Sequence, residues 1–337
     1  MSLVKAELRR LFKRRLTRVM LVLLVLTLAG ITTAFTIASH KIGPAEIAAA
    51  EARAEAAYQE QVRYHQQSVA ECETLKASGA QVEERFPPDC GKDFAPQREQ
   101  FEAEWFLPYQ FEFRAEFGIF LSIFAGIVAL FAFLVGASYI GAEWSSGAMM
   151  NLLLWRPRRL PVLLTKLGVL LGSVLSISVV LGALWTTAFW LIGRYDGVTG
   201  EMTRGAWESL AISGARGIGL VLAVAAVGFG LASLGRHTAM ALGVAIGVGV
   251  ISEVGLRIAL EIADVTFGDR YLLSTYALAW FEKKWALVDW NSCNFSMGEC
   301  KPDELLITWQ DSAVLFTIGV VLALGGAMWA MRRRDIT

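Results

Sequence analysis

Six stretches of the chain stay apolar over about the 20 residues that a bilayer crossing requires. They cover 19–38, 119–140, 163–192, 210–234, 239–262 and 313–331. The third carries Gly168, Gly172 and Gly182 and is long enough to tilt. From Lys41 to Glu116 the apolar period disappears. The pattern predicts an all-α polytopic membrane protein with six transmembrane helices, an N-terminal amphipathic interfacial helix and a helical extracytoplasmic insertion between spans 1 and 2. The expected divisions are 1–18 for the interfacial helix, 19–38 for the first span, 39–116 for the insertion and 117–263 for spans 2 to 5. An outer loop at 264–310 and a last span with a basic tail at 311–337 complete the chain.

Shorter periodic stretches fill the gaps. In 1–18, Val4, Leu8, Leu11, Phe12 and Leu16 fall on one stripe opposite Lys5, Arg9 and Lys13, as in a helix lying on a membrane surface with its cations toward anionic headgroups. Between spans 2 and 3, the segment 141–162 predicts an amphipathic helix from Glu143 to Leu154 that turns Met149, Met150, Leu152 and Leu153 to a membrane or a partner groove. Pro157 and Pro161 are expected to end it. In the insertion, Pro44 suits the first turn of a long helix of strong helix formers up to Leu75. Its apolar residues, Ile47, Tyr58, Val62 and Val69, are sparse. The helix leans on the rest of the insertion or on a second copy, or stands as a solvated stalk. Trp105, Phe106, Tyr109, Phe111 and Phe113 read as an aromatic belt, and Trp280, Trp285, Trp290 and Trp309 as anchors of a loop dipping into the interface.

Composition agrees with the pattern: 55% of the residues are hydrophobic and 18% charged, which describes a chain solvated largely by lipid. The formal net charge of zero hides an asymmetry. Lys5, Arg9, Arg10, Lys13, Arg14, Arg15 and Arg18 crowd the start around a single acid, Glu7. The clusters Arg156, Arg158, Arg159 and Arg332, Arg333, Arg334 fall on the same side of six spans. By the positive-inside rule both termini are cytoplasmic in a plasma membrane. The long basic region and the poor cleavage site at Ala38-Ser39-His40 argue against a cleaved signal peptide. All four cysteines lie in segments placed outside, where disulfides persist; Cys72–Cys90 and Cys293–Cys300 are the expected pairs, with cross-pairing between the two segments as the alternative.

Charge inside a span is costly. Glu253, Arg257 and Glu261 recur at four-residue spacing in the fifth span, able to pair with each other as a structural strip or to line a polar path; Arg216 is placed to snorkel or to pair with Glu253 or Glu261. Gly243 and Gly247 permit close helix approach. There is no phosphate-binding G-x-x-x-x-G-K-[ST] loop and no H-E-x-x-H pair, and His40, His65 and His237 are scattered. No metal site, no cofactor of the chain's own, no catalytic group and no nucleic-acid partner are expected.

The basic start KAELRRLFKRR, Glu143 with Gly147, the LLLWRPRR turn and the WAMRRRD ending together resemble the permeases of type-2 ABC exporters. The resemblance covers about two-thirds of the chain. Ala148 departs from it, since the family commonly has threonine there, as do the large insertion and the loop before the last span. It implies that segment 141–162 is a coupling element, in which Glu143, Gly147, Met149, Leu153 and Arg156 face a cytoplasmic ABC ATPase dimer that holds ATP and Mg. It also implies a second permease, identical or homologous, meeting this one at a seam that includes the fifth span with Gly243, Gly247, Glu253, Arg257 and Glu261. The implied activity is outward movement of a lipid-like, peptide or drug-like substrate. The alternatives are an ABC-coupled complex that acts mechanically on an extracytoplasmic protein partner, and a membrane-embedded enzyme or channel.

Overall fold

A computed structural model describes residues 3–79, 86–87, 89–155, 158–293 and 301–333. Six helices are long and apolar enough to cross a membrane: α2 (Arg15–Ala38), α4 (Phe113–Ser145), α6 (Arg159–Tyr195), α7 (Arg204–Gly235), the interrupted helix Thr238–Ile262, and α11 (Trp309–Arg333). The apolar runs thus become six spans, and the fold is an all-α polytopic membrane fold. Before them lies α1 (Leu3–Lys13), separated from α2 by the single non-helical residue Arg14. Between α4 and α6 lies the short helix α5 (Ala148–Trp155).

The chain divides into two compact units. The smaller holds 33–113 and 190–200 and is organised around α3 (Pro44–Ala77), 34 residues and so about 50 Å long. Pro44 does occupy its first turn; Gly43 donates its N–H to the Glu46 carboxylate at 3.0 Å, closing the N-terminus. The expected apolar residues are not its core. Ala50, Ala54 and Cys72 are the buried positions, and their small side chains let the returning chain lie against the helix. That return is antiparallel: Cys90 is bonded to Cys72 with a Cα–Cα distance of 5.7 Å, Gly91 C=O meets His65 Nε2 at 2.9 Å, and Phe101 packs edge-on against Tyr58. The helix therefore leans on its own insertion. At the base, Val198 and Phe111 exchange backbone bonds, and Ser39 Oγ donates to Asp196 C=O while accepting from Phe111 N–H. Phe111 and Phe113 are buried here, so the expected aromatic belt loses two members to packing, whereas Trp105 and Tyr109 stay exposed.

In the larger unit the fifth span is not one regular helix. It runs as α8 (Thr238–Gly249), a π-helical turn (Val250–Leu256) and α9 (Arg257–Ile262). The widened turn breaks the four-residue ladder, and no ion pair joins Glu253, Arg257 and Glu261 among the described residues. Glu253 instead accepts the Ser274 N–H at 2.9 Å, which caps α10 (Leu273–Glu282). Arg257 and Glu261 line a polar cavity with Asp264, Asp269 and Asp289. Arg216 meets neither acid: its guanidinium lies 5.0 Å from the centre of the Trp309 ring, and its carbonyl accepts from Trp280 Nε1.

The loop before the last span holds α10 and an antiparallel hairpin, β1 (Lys284–Asp289) and β2 (Asp303–Thr308), in the register Lys284↔Thr308 to Asp289↔Asp303. Leu287 and Ile307 turn inward onto Ala279 of α10. A short helix and a hairpin thus make up the expected outer loop, and the irregularly spaced tryptophans masked its two six-residue strands. Cys293 is not a free thiol, and its expected partner Cys300 lies outside the described residues.

Replacing Cys72 and Cys90 by alanine should lower the unfolding free energy of the insertion by about 2–4 kcal/mol, since the bridge closes an 18-residue loop. Limited proteolysis of the oxidised and alanine forms checks this; identical cleavage rates within the insertion would contradict it.

Candidate functional site

The most unusual chemistry in the larger unit is a buried group of charges where α1, α4 and α6 converge. Lys166 and Glu7 are fully buried, Tyr139 likewise, and Glu143 is 5% exposed. The Lys166 ammonium donates to Glu7 Oε2 at 2.5 Å and pairs with Glu143 Oε2 at 2.7 Å. Glu7 Oε2 also accepts from Tyr139 Oη at 2.7 Å, and Glu7 Oε1 from Arg10 at 3.1 Å. Glu143 Oε1 accepts from Arg14 at 3.2 Å, whose other nitrogen donates to the Ser138 carbonyl at 2.9 Å. Arg14 and Lys166 stand over the Tyr139 ring at 5.3 and 5.2 Å. Each carboxylate oxygen thus has a cationic partner, the condition under which buried charge is tolerated.

Local structure explains why these residues meet. α1 buries Glu7 and Leu11, while Val4, Leu8 and Phe12 of its expected apolar stripe stay exposed, as does Leu16 at the start of α2. The sole acid in a cationic stretch is thus the residue turned inward. Pattern reading missed this because a buried acid looks like a break in the stripe; the signal was the pairing of that acid with Lys166, a cation at the edge of an apolar run. Burial by itself would raise the Glu7 carboxyl, but the hydrogen bonds from Lys166 and Tyr139 and the charges of Lys166 and Arg10 outweigh it and hold it below the ordinary 4.5.

The expected coupling residues lie around this group with altered roles. α4 continues to Ser145, so Glu143 sits in its last turn rather than at the start of the amphipathic helix, and there it answers cations instead of a helix N-terminus. Gly147 holds the turn between α4 and α5 with a φ of +71°, a conformation that favours glycine. Met149 and Leu153 are buried against this chain, while Ala148, Asn151 and Leu154 of α5 are exposed, Leu154 at 81%. Pro161 does not terminate a helix but sits in the first turn of α6, where its missing N–H costs nothing. Arg156 lies outside the described residues.

Neighbouring span ends are tied to the same place. A Cβ on Gly141 of α4 would collide with the side chain and backbone of Thr238, so glycine is needed for α8 to begin there. Arg236 stands 4.9 Å from the centre of the Trp144 ring, and Arg159 donates to the Met331 carbonyl at 3.3 Å. Further along the spans, α4, α6 and α7 enclose an open cavity of about 500 Å³ lined by Phe117, Phe124, Val179, Ala211 and other apolar residues. The hydroxyls there, Ser178 and Thr186, are spent on the carbonyls of Val174 and Gly182. A Cβ on Gly243 or Gly247 of α8 would meet no atom within 4 Å among the described residues.

A sequence model of the ABC-2 family transporter proteins matches residues 1–279, which takes in the buried charges, α5 and the first five spans. No curated protein and no solved structure matches the chain.

Lys166→Met should cost about 3–5 kcal/mol, because it strands Glu7 and Glu143 in the interior. Combining it with Glu7→Gln should cost less than the sum of the two single changes, as measured by thermal unfolding in detergent; additive losses would mean that the pair is not coupled. A second outcome concerns pH. The Glu7 carboxyl is depressed, so its stabilisation is complete above the ordinary glutamate range and is lost as pH falls through its lowered value. Acid unfolding of wild type against Glu7→Gln checks this, and the variant should lack that acid limb.

Proposed function

Because the chain belongs to the ABC-2 family of transporter proteins, we propose that it is the membrane permease subunit of an ATP-driven exporter, working with a separate cytoplasmic ABC ATPase dimer that holds ATP and Mg. The observation that carries this reading is the locked junction beside α5. One short helix exposes Leu154 and Asn151 while Met149 and Leu153 root it in the chain, and the adjacent span ends share a buried charge network. A push on α5 would reach α1, α4 and α6 together instead of bending one loop. On this reading the junction is cytoplasmic, as are both termini, in a plasma membrane. The largely apolar lining of the cavity between α4, α6 and α7, with the Ser178 and Thr186 hydroxyls spent on backbone carbonyls, supports the lipid-like end of the substrate range over peptide or polar drug-like molecules.

Two copies, or one copy with a homologous permease, complete the conduit. The fifth span supports this, since Gly243 and Gly247 are open and Ile246, Ile251 and Val254 are exposed along it. A second reading, mechanical action on an extracytoplasmic protein partner, is favoured by the disulfide-stapled insertion, which exposes Tyr64, Phe94 and Trp105.

Leu154→Asp should leave the permease folded, because the residue is 81% exposed, and yet reduce transport-coupled ATP hydrolysis about tenfold or more. Reconstituted ATPase and lipid-transport assays with the paired ATPase check it; unchanged coupling would remove α5 from the ATPase contact. Wild-type hydrolysis without export of any lipid, combined with retention of an outer protein partner, would favour the mechanical reading. Cysteine pairs introduced between Ala245 and Ile258 should crosslink two permeases in membranes, and crosslinks confined to one chain would contradict the seam.

A further inference from the structure

One flank of α1 carries Arg9 and Lys13, two cations that the buried charges do not use. Between it and the α4–α5 turn lies a groove of about 600 Å³ lined by Arg9, Arg10, Lys13 and Arg14 on one side and by Glu143 and Ser146 on the other. Glu143 cannot neutralise this lining, since its oxygens are taken by Arg14 and Lys166. Arg10 is held by Glu7. Arg9 and Lys13, one helical turn apart and both exposed, have no carboxylate partner among the described residues. The groove therefore presents fixed, unspent positive charge in a concave site.

Its position selects the anion. Arg14 immediately precedes the span α2, and Glu143 belongs to the last turn of the span α4, so the groove lies where two spans leave the membrane, in the headgroup layer. On one flank of α1, Val4, Leu8 and Phe12 are exposed, which holds the helix against an apolar phase. Just after Arg14 in the chain, Leu16, Val19, Val22 and Leu23 are exposed along the start of α2 and offer a surface for acyl chains. An acidic protein segment would match the charge but would leave that apolar surface unexplained.

We propose that this groove is a binding site for the phosphate of an anionic phospholipid, with Arg9 and Lys13 as its principal ligands and the acyl chains lying along the start of α2. This goes beyond the permease reading and does not depend on the substrate, because its principal cations, Arg9 and Lys13, take no part in the buried charge network. A bound lipid would hold α1 in place beside the junction and make the permease sensitive to the charge of its leaflet.

The test uses the full chain with its ATPase in nanodiscs of phosphatidylcholine with or without phosphatidylglycerol, and native mass spectrometry counts retained lipid. Wild type should retain phosphatidylglycerol over phosphatidylcholine. Arg9→Gln with Lys13→Gln should weaken that retention on the order of 10- to 30-fold, about the contribution of two cations near an anionic surface. Arg158→Gln with Arg332→Gln removes the same charge outside the groove and should change retention little. Equal loss in both pairs would mean diffuse attraction, and absence of any phosphatidylglycerol preference would mean no site; either overturns the proposal. Displacement by millimolar inorganic phosphate would assign the groove to a free anion, and protection of Arg9 and Lys13 from chemical labelling only when the ATPase is present would assign it to the protein partner. Both of those results also overturn the lipid assignment, and none bears on whether Leu154 couples hydrolysis to transport.

Discussion

Lys166 is shared between two carboxylates, and the arrangement of the larger unit around α5 depends on that sharing. A lysine taken out of water without a counter-charge would lose its proton or unfold its surroundings. Here Glu7 comes from the N-terminal helix and Glu143 from the second span, so neutralising one cation requires both elements to be present and in register. The network is thus a constraint on geometry more than a source of stability, because the desolvation of Lys166, Glu7 and Glu143 offsets much of what their attraction contributes. Aliphatic residues of similar volume could fill the space, but they would not specify which turn of α1 lies against which turn of α6.

The rest of the junction repeats the same logic with weaker means. Gly141 lets α8 start against α4 without a side chain between them, Gly147 bends the chain into α5, and Arg159 reaches a carbonyl at the end of α11. Each of these fixes the end of a span. Toward the opposite ends of α4 and α6 the contact is ring packing, as where Phe120 stacks on Phe189 and Trp185 lies beside it. The ends therefore set the relation between spans, and α5 sits among those ends.

Much of this architecture was legible in sequence. Six apolar runs gave six spans because nothing but length and apolarity is needed to cross a bilayer, and Cys72–Cys90 followed from two thiols flanking a Gly and Pro-rich turn. Glu143 and Gly147 stood out in sequence, yet their places in the fold did not, since hydrophobic periodicity cannot tell the last turn of one helix from the first turn of the next when only Ser146 and Gly147 separate them. Met149 and Leu153 look identical in sequence whether they face a partner or their own chain. The Glu7–Lys166 pair, 159 positions apart, is invisible to any local pattern. The hairpin escaped for the opposite reason: its strands are six residues each and read as part of a longer aromatic stretch.

The π-helical turn at Val250–Leu256 makes the fifth span two half-spans in different angular phase. A regular helix advances 100° per residue, so one surplus residue in a turn rotates everything beyond it by about that angle relative to what precedes it. The open glycines of α8 and the charged residues of α9 are therefore not on the stripe that their numbering suggests. Any neighbour packed along the first half meets a different side of the second, and a one-residue deletion within Val250–Leu256 would realign the two faces while leaving the composition of the span almost unchanged.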